Sequence, residues 1–419
     1  MDSTAKAPLV QSMWSTPVLP RGHGTIFATD GFGRNMRATA TRICGPLQMV
    51  AGPVNRISIR PVWTLHHPER PPLPARLPSL LVQVQARGSL LAACRELDLS
   101  YRHAWDLVHQ GEDYFGAPLL EMVRGKGSTL TTLGEKLVWA DHRINARLTP
   151  ILDSLASELA AEINRTVKGA PPVMRLHATH GFAVERLVAA LDGEGVELDH
   201  RYGSSVEAAS ALHDRACDVA GLHIPEGAVQ ADALRHYAAW IGDGNLQVVD
   251  VATRRQGLLV APGNPKRIYD IGDVARPGIR FINRQAGSGT RFLVERLLRL
   301  NGIDPQHIPG FEHGEFTHAA VAAYVASGMA DVGVGLETPA RRFGLEFLPL
   351  ATERYILLCT PETLETPPMR AAVALLSSPE FRASIDELQG YDARWGGRVL
   401  PLAEAFTAPP AVPVLAAAG

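Results

Sequence analysis

Residues 88–110, GSLLAACRELDLSYRHAWDLVHQ, constrain the fold of this chain more than any other stretch, because two short amphipathic segments flank a tight turn. Ser89 can cap a first helix whose apolar face includes Leu91, and Ser100 can cap a second helix that turns Ala104 inward. Small side chains between the segments allow the two helices to cross closely. The pattern predicts a helix-turn-helix, and an ordinary helical hairpin in a globular core is the alternative.

The polar face of the second segment indicates what these helices could contact. A helix-turn-helix inserts its second helix into the major groove of double-stranded DNA. The stretch that follows reads as strand, glycine-rich tip and strand, which predicts a hairpin wing with a basic tip, although its Arg-Gly-Lys-Gly alone is an ordinary solvated turn. The side chains predicted to contact DNA are Ser89, Ser100, Tyr101, Arg102, His103, Asp106, Arg124, Lys126 and Ser128.

Two of these motifs carry a family resemblance. The run GSLLAACRELDLSYRHAWDLV, followed by RGKGSTLTTLGEKL, resembles the N-terminal winged-helix domain of ModE molybdate regulators and, more distantly, LysR-type regulators. The resemblance covers about residues 56–145 and implies a winged helix-turn-helix over 56–130 that binds a DNA operator. ModE proteins carry small β-barrel oxyanion domains after this module. No such repeat is visible here, so molybdate specificity does not follow from this resemblance.

Residues 131–168 are predicted to form a linker helix with an apolar stripe. The stripe residues recur at spacings near three and four, a seam that can pair with a second copy. Pro150 is expected to kink the helix. The prediction is a homodimer or a dimer of dimers, and packing against the chain's own domain is the alternative. The stripe comprises Leu133, Leu137, Ala140, Ile144, Leu148, Ile151 or Leu152, Leu155, Leu159 and Ile163.

From residue 173 to about 400 the pattern changes to alternating strands and helices. Strands predicted at Leu246–Ala252 and Gly257–Ala261 carry the chain into a second lobe, and Arg354–Cys359 returns it to the first. Two α/β lobes joined by crossing strands predict a hinged domain that closes on a small molecule. The expected fold is therefore an α/β multidomain chain with a winged helix-turn-helix, a linker helix and this two-lobed domain.

The segment FINRQAGSGTRFLVERLL has the strongest ligand signal of the two lobes. A strand ends, a glycine-rich turn follows, and a helix begins with hydroxyls, free N–H groups and a guanidinium, which together can hold an anion. Other strand ends should point towards the same cleft. No histidine or cysteine spacing indicates a metal site. The predicted effector-binding residues are Thr179, His180, Ser204, Ser205, His223, Gly287, Ser288, Thr290, Arg291, Thr317 and Glu337.

This part of the chain resembles the periplasmic-binding-protein-like domain that is found fused behind winged helices and at the end of some molybdopterin-biosynthesis proteins. The stretches INRQAGSGTRFLVERLL, EFTHAAVAAYVASGMADVGVGLE and CDVAGLHIP carry the resemblance, over about residues 173–360. It implies an effector domain that grips a small anion with hydroxyls and backbone N–H groups. The link to molybdenum favours molybdate, tungstate or formate as the effector class.

Charge and targeting signals limit the remaining alternatives. The formal net charge of −2 requires that DNA contact come from a local patch. No signal peptide or membrane-spanning run is visible, and four scattered cysteines indicate a reducing compartment, so a cytoplasmic location is predicted. Residues 1–55 are predicted to be flexible or a spurious extension, and residues 401–419 a flexible tail.

Function follows from these predictions as an expectation. The favoured hypothesis is a transcription regulator with no cofactor, whose effector domain controls its DNA-binding domain. A transport receptor for small molecules is the second class, and the attached helix-turn-helix argues against it. An enzyme is the third class, but no nucleophile elbow, convincing carboxylate pair or metal triad is present in the sequence.

Overall fold

The computed structural model describes residues 56–123, 127–166, 173–242 and 245–406. The predictions for residues 1–55, for Arg124 and Lys126, and for the tail beyond 406 lie outside these residues. The N-terminal part consists of helices α1 (Leu77–Arg87), α2 (Leu90–Glu96) and α3 (Tyr101–Phe115), strands β1 (Leu120–Val123) and β2 (Gly127–Leu130), and helix α4 (Thr132–Thr166).

The rest of the described chain alternates strands and helices. Its strands are β3 (Met174–Ala178), β4 (Leu198–Tyr202), β5 (Val219–Pro225), β6 (Gln247–Val260), β7 (Phe281–Arg284), β8 (Gly314–Glu315), β9 (Val332–Leu336), β10 (Glu346–Cys359), β11 (Tyr391–Asp392) and β12 (Val399–Pro401). Its helices are α5 (Phe182–Gly193), α6 (Ser205–His213), α7 (Gln230–Ile241), α8 (Gly289–Leu300), α9 (His318–Ala326), α10 (Glu337–Arg342), α11 (Pro361–Leu364), α12 (Pro367–Ser377), α13 (Pro379–Asp386) and α14 (Leu402–Ala405). Residues 401–406, predicted as part of a flexible tail, instead end β12 and form α14.

Helices α2 and α3 begin at the predicted caps. The Ser89 hydroxyl accepts a hydrogen bond from the Ala92 N–H, and the Ser100 hydroxyl accepts one from the His103 N–H. The predicted inward position of Leu91 is wrong, because its side chain is 50% exposed. Successive helical residues turn by about 100°, so the face shared by the buried side chains of α2 excludes it. The buried residues of α2 are Leu90, Ala93 and Cys94.

The apolar core of the N-terminal part lies between α1, α2, α3 and the start of α4. A Cβ on Gly111 would lie 2.4 Å from a methyl carbon of Leu77, so the absence of a side chain at this position lets α3 approach α1. Strands β1 and β2 pair as an antiparallel hairpin, with Leu120 opposite Leu130. The helices and the hairpin thus occur in the predicted order.

Helix α4 is continuous through Pro150 and contacts both α9 and the edge strand β4. The Ser157 hydroxyl bridges the backbone of β4, since it donates to the Leu198 carbonyl at 3.1 Å and accepts from the His200 N–H at 2.9 Å. The Ser154 hydroxyl accepts from the Tyr202 N–H. These contacts satisfy backbone groups that an uncovered edge strand would leave unpaired.

One twisted sheet organises the two lobes, in the strand order β4-β3-β5-β10-β6-β9-β7-β8, with β11 and β12 also paired to β6. Strands β6 and β10 are antiparallel to each other and run through both lobes. The break predicted between Ala252 and Gly257 is wrong: β6 is one strand of 14 residues. The polar middle of β6 lies where the strand crosses between the lobes. At this point the pairing with β10 is irregular, because its register shifts between Pro349 and Ala351 of β10.

We call the two halves lobe 1 and lobe 2. Lobe 1 contains β3, β4 and β5, and its apolar cores involve α5, α6, α7, α12 and α13. Lobe 2 contains β7, β8 and β9, and its cores involve α8 and α9. The ends of β3, β5 and β7 and the starts of α5, α6, α8 and α9 meet where the lobes face each other. This junction is the candidate cleft.

Candidate ligand cleft and helix-turn-helix surface

Three predicted hydroxyls stand at helix N-termini that converge on the cleft. Ser204, Ser288 and Thr317 are the N-caps of α6, α8 and α9, and each side-chain oxygen accepts a hydrogen bond from a backbone N–H of its helix. Each hydroxyl keeps its own proton to donate to a ligand. Because the N-terminus of a helix carries partial positive charge, the three ends favour a negatively charged ligand between the lobes.

The two lobes are closed on each other at this point. A Cβ on Gly287 of lobe 2 would lie 3.6 Å from the Cβ of Ser204 in lobe 1. One on Gly289 would lie 3.6 Å from the hydroxyl of Ser205. A side chain at either glycine would therefore contact the serines at the start of α6 in lobe 1.

A buried ion pair crosses the floor of the cleft. Arg254 on β6 and Glu353 on β10 are paired in register, and their side chains are 2.5 Å apart at the closest nitrogen and oxygen. The amide of Gln256 donates to the same carboxylate at 3.0 Å and to the Thr290 hydroxyl at 2.8 Å. Burial alone would lower the pKa of Arg254, but Glu353 outweighs it and raises this pKa.

Arg284, at the end of β7, is the second buried guanidinium of the cleft and has no carboxylate of its own. It donates to the backbone carbonyls of Glu315 at 3.1 Å and Phe316 at 2.8 Å. Burial and the nearby Arg254 lower the pKa of Arg284 to about 9, so it is still charged at neutral pH. Two guanidiniums against one carboxylate leave the cleft with uncompensated positive charge, which a bound anion would neutralise.

Neutral polar groups complete the lining. Burial, and then Arg254 and Arg284, hold the pKa of His223 well below its usual range, and the same groups act on His318. The Thr179 hydroxyl lies 2.8 Å from Nδ1 of His223, whose ring stacks on Tyr355. Several buried polar atoms of the lining have no hydrogen-bond partner among the described residues: His318 Nδ1, Gln256 Oε1, Tyr355 OH and Glu353 Oε2.

Two predicted effector residues, Arg291 and Glu337, point elsewhere. Arg291 is held by Glu295 and Glu312 and stacks over Phe311, so its guanidinium does not face the cleft. Glu337 pairs with two arginines at the start of α10. His180 lies at the mouth of the cleft, where it pairs with Glu185.

Sequence reasoning missed Arg254, Gln256, Arg284 and Glu353. Arg284 lies at the end of β7, just before the glycine-rich turn predicted to bind an anion. Its position at a strand end is the sequence signal that could have identified it as a site residue. Arg254 and Gln256 are polar residues in the middle of an otherwise apolar strand. From the sequence alone, this polar stretch predicts a break between two strands. In a strand that crosses between lobes, such an interruption marks the position where side chains face the cleft.

The predicted DNA-contact face of α3 is open to solvent. Its exposed residues are Tyr101, Arg102, His103, Asp106, His109 and Gln110. Ser128 departs from the prediction, because it is 3% exposed and its hydroxyl faces the Leu90 N–H, where it secures the hairpin against α2. Arg124 and Lys126, which the sequence predicts at the tip of the wing, lie outside the described residues.

Within the described ranges, no group of three or more histidine, cysteine, aspartate or glutamate side chains is arranged to hold a metal ion. None of the described helices combines the length and the apolar character that crossing a bilayer requires.

Comparisons with known proteins agree with the two-lobed description. Residues 188–377 match the PBP superfamily domain. The chain is 29% identical over 200 residues to the uncharacterized protein YvgK of Bacillus subtilis, a match of 48% of this chain and 64% of YvgK, so less than two thirds of that relative is spanned. It is 26% identical over 202 residues to the molybdenum-pterin-binding protein MopB of Rhodobacter capsulatus, covering 46% of this chain and 74% of MopB.

Solved structures give weaker likenesses. Full-length BenM aligns with a TM-score of 0.37 at 14% identity, covering 74% of this chain and 96% of BenM. CbnR, a LysR family transcriptional regulator, aligns with a TM-score of 0.33 at 15% identity, covering 71% and 97%. A phosphate-bound transporter substrate-binding protein from Clostridium perfringens aligns with a TM-score of 0.40 at 11% identity, covering 53% and 99%.

One further relative is matched over nearly its whole length, and this match shows the family of the chain. The uncharacterized protein encoded in the 5' region of the ferredoxin 2Fe-2S gene of Clostridium pasteurianum is 34% identical over 109 residues, which is 26% of this chain and 96% of that protein. This chain belongs to the same family as that clostridial protein, and its residues 188–377 match the PBP superfamily domain.

Proposed function

We propose that this protein is a one-component transcription regulator that binds DNA through α3 and the β1–β2 hairpin and senses a small anion between its lobes. The observation that carries the proposal is Arg284, a buried guanidinium without a carboxylate partner, beside three helix N-termini. An anion in the cleft would neutralise this charge and accept hydrogen bonds from the capping hydroxyls.

The effector class we propose is a molybdate- or tungstate-type oxyanion or formate. Several donors from different directions suit an oxyanion, and the relative MopB is named as a molybdenum-pterin-binding protein. Thr179, Ser204, Ser205, Ser288, Thr290 and Thr317 are the hydroxyl donors that we assign to this site. Gly287 and Gly289 would contribute backbone N–H groups.

The DNA-binding part of the proposal depends on the exposure of one face of α3 to solvent. The polar side of α3 is open, including Tyr101, Arg102 and His103, while Ala104 and Val108 on its other side are buried in the core. A recognition helix needs this division, since one face must pack and the other must enter the groove. A regulator of this kind would act in the cytoplasm, on an operator in double-stranded DNA.

Dimerisation would bring two recognition helices to one operator. Five large apolar side chains of α4 are between 39% and 53% exposed, and their spacings of three and four place them on one stripe: Leu148, Ile151, Leu155, Leu159 and Ile163. Within the described residues, the lobes leave each of these side chains at least 39% exposed, although Leu148 and Ile151 also line a space next to Phe316 of lobe 2. We propose that the stripe of a second copy covers it.

A thermal-shift screen tests the effector site directly. Molybdate, tungstate, sulfate, phosphate and formate are each added to the wild type, to Arg284→Met and to the control Arg280→Met, which removes a guanidinium from an exposed pair with Asp331. At 100 times its dissociation constant, a true ligand stabilises the wild type by about 2.7 kcal/mol. We expect this gain in the wild type and the control but not in Arg284→Met. An equal gain in all three proteins would contradict the site.

A further inference from the structure

Helix α4 is fastened to both lobes, one on each side of its midpoint. In its first half, Nε1 of Trp139 donates to the Ala323 carbonyl of lobe 2 at 3.1 Å. In its second half, Ser154 and Ser157 bond to strand β4 of lobe 1. Pro150 lies between these attachments and removes one hydrogen bond of the helix. A change in the angle between the lobes must therefore bend or displace α4.

Glu315 on β8 joins this helix to the ligand cleft. Its carboxylate is 2% exposed and pairs with Arg143 at 3.0 Å and with Arg147 at 3.1 Å, both on α4. Its backbone carbonyl accepts a hydrogen bond from Arg284, and so does that of Phe316. A single residue is thus held by the helix through its side chain and by the cleft through its main chain.

The midpoint of α4 has space on two sides. A cavity of about 350 Å³ lies between Asn145, Thr149 and Pro150 of α4 and the cleft residues His180 and His318. A second cavity, of about 480 Å³, lies between α4 and the segment that contains Gly314 and Phe316. Because close-packed side chains resist displacement, the space on these two sides leaves room for the middle of α4 to shift.

We infer that Glu315 is a positioning residue that transmits occupancy of the cleft to α4. This inference rests on the proposed function, because it assigns the path from the effector to the DNA-binding helices. A bound anion accepts hydrogen bonds from the Arg284 guanidinium. It thereby changes the hydrogen bonds that this guanidinium makes to the carbonyls of Glu315 and Phe316. The Glu315 carboxylate moves with its backbone, and Arg143 and Arg147 carry that movement into α4, which follows β2 in the chain and packs against α1.

The test removes the link without touching the cleft. The variants are Arg147→Met, whose side chain is half exposed, and the double variant Arg143→Met/Arg147→Met, and the double lysine variant serves as the rescue. The matched control is Arg165→Met, which breaks an exposed pair with Glu162 at the far end of the same helix. Amide hydrogen exchange of residues 143–151 and 314–317 is measured in each full-length protein, with and without sodium molybdate, phosphate and formate, each tested separately.

We expect the bound anion to change exchange at residues 143–151 in the wild type and in Arg165→Met. In the double methionine variant this change is lost, and the anion's dissociation constant rises by about fivefold or more, because coupling acts in both directions. The double lysine variant restores the anion-dependent change. In the anion-free double methionine variant, exchange at residues 314–317 is faster than in the wild type.

Two results would overturn the inference: an anion-dependent change at 143–151 that persists in full in the double methionine variant, or anion-free exchange at 314–317 that equals the wild type. A purely structural ion pair would lower the anion-free melting temperature and leave the anion-dependent change intact, which is the first of these results. If none of the anions binds the wild type, the proposed function fails, and the anion-free exchange at 314–317 still decides whether Glu315 couples the two segments.

Discussion

Arg254 and Glu353 face each other across the two strands that connect the lobes, with 2.5 Å between the closest nitrogen and oxygen and almost no exposure to solvent. Arg254 and Gln256 both donate to one oxygen of Glu353, and its other oxygen has no hydrogen-bond partner among the described residues. Arg284 donates its hydrogen bonds to the carbonyls of Glu315 and Phe316, and the Glu353 carboxylate compensates its charge only in part, since burial and Arg254 still lower the pKa of Arg284. The anion that we propose is the missing partner of this second arginine.

Replacing Glu353 should show how strongly the cleft depends on charge balance. Glu353→Gln keeps the shape of the side chain but leaves two buried guanidiniums without a carboxylate. Breaking a buried pair costs about 3–5 kcal/mol, so we expect a loss of this size in the free energy of unfolding, measured by urea denaturation. A saturating anion should recover part of it. The double variant Arg254→Met/Glu353→Met, which removes both charges, should be more stable than the single variant, and equal instability of the two would contradict this explanation.

Arg291 and Arg284 should respond differently to substitution, although both lie in the segment that the sequence singles out. Arg291 pairs with Glu295 and Glu312 outside the cleft. Arg291→Gln should therefore retain an anion-induced rise in melting temperature close to that of the wild type, whereas Arg284→Met loses it. Isothermal titration with the stabilising anion gives an independent measurement. Loss of binding in Arg291→Gln alone would show that the wrong arginine has been assigned to the cleft.

The buried histidines predict how stability depends on pH. Burial, and then the neighbouring arginines, keep the pKa of His318 and of His223 well below 6.5 in the folded protein. The unfolded chain takes up protons at these positions as the pH falls through about 6.5, while the folded protein does not. Stability should therefore be full above this pH and decrease below it, by at most about 1.4 kcal/mol per pH unit for each histidine.

Urea denaturation at several pH values between about 7.5 and 5 measures this slope. In His318→Gln, the loss of stability with falling pH should be smaller by the contribution of one histidine. The matched control is His103→Gln on the exposed face of α3. An unchanged slope in His318→Gln would show that His318 is protonated in the folded protein over this range.

Local sequence patterns predicted much of what the structure describes, and their failures have physical causes. The capping serines Ser89 and Ser100 could be identified because the N-cap preference is a property of a few neighbouring residues. The anchoring of α4 on both lobes could not be predicted from such local patterns, because the ion pairs of Arg143 and Arg147 with Glu315 join residues far apart in sequence. The same holds for Arg254, whose partner Glu353 belongs to another strand.

The exposed stripe of α4 predicts the oligomeric state. Leu155, near its centre, is 44% exposed in the single chain. Leu155→Glu would place a charge in the interface between two copies, so we expect a dimer in the wild type and a monomer in this variant, measured by sedimentation equilibrium. Leu91→Glu is the control, because Leu91 is equally exposed but lies on α2. If Leu155→Glu sediments as the wild type does, the stripe is not the interface.

The most direct test of the account measures the affinity for DNA in the presence and absence of the anion. An operator is first selected from random double-stranded DNA with the wild-type protein, and its dissociation constant is then determined with and without the stabilising anion. We expect a difference of about 5-fold to 150-fold in the wild type, no difference in Arg284→Met, and loss of operator selectivity in Arg102→Ala. A wild-type protein that binds the anion in the cleft and binds the operator equally well with and without it would contradict the central claim.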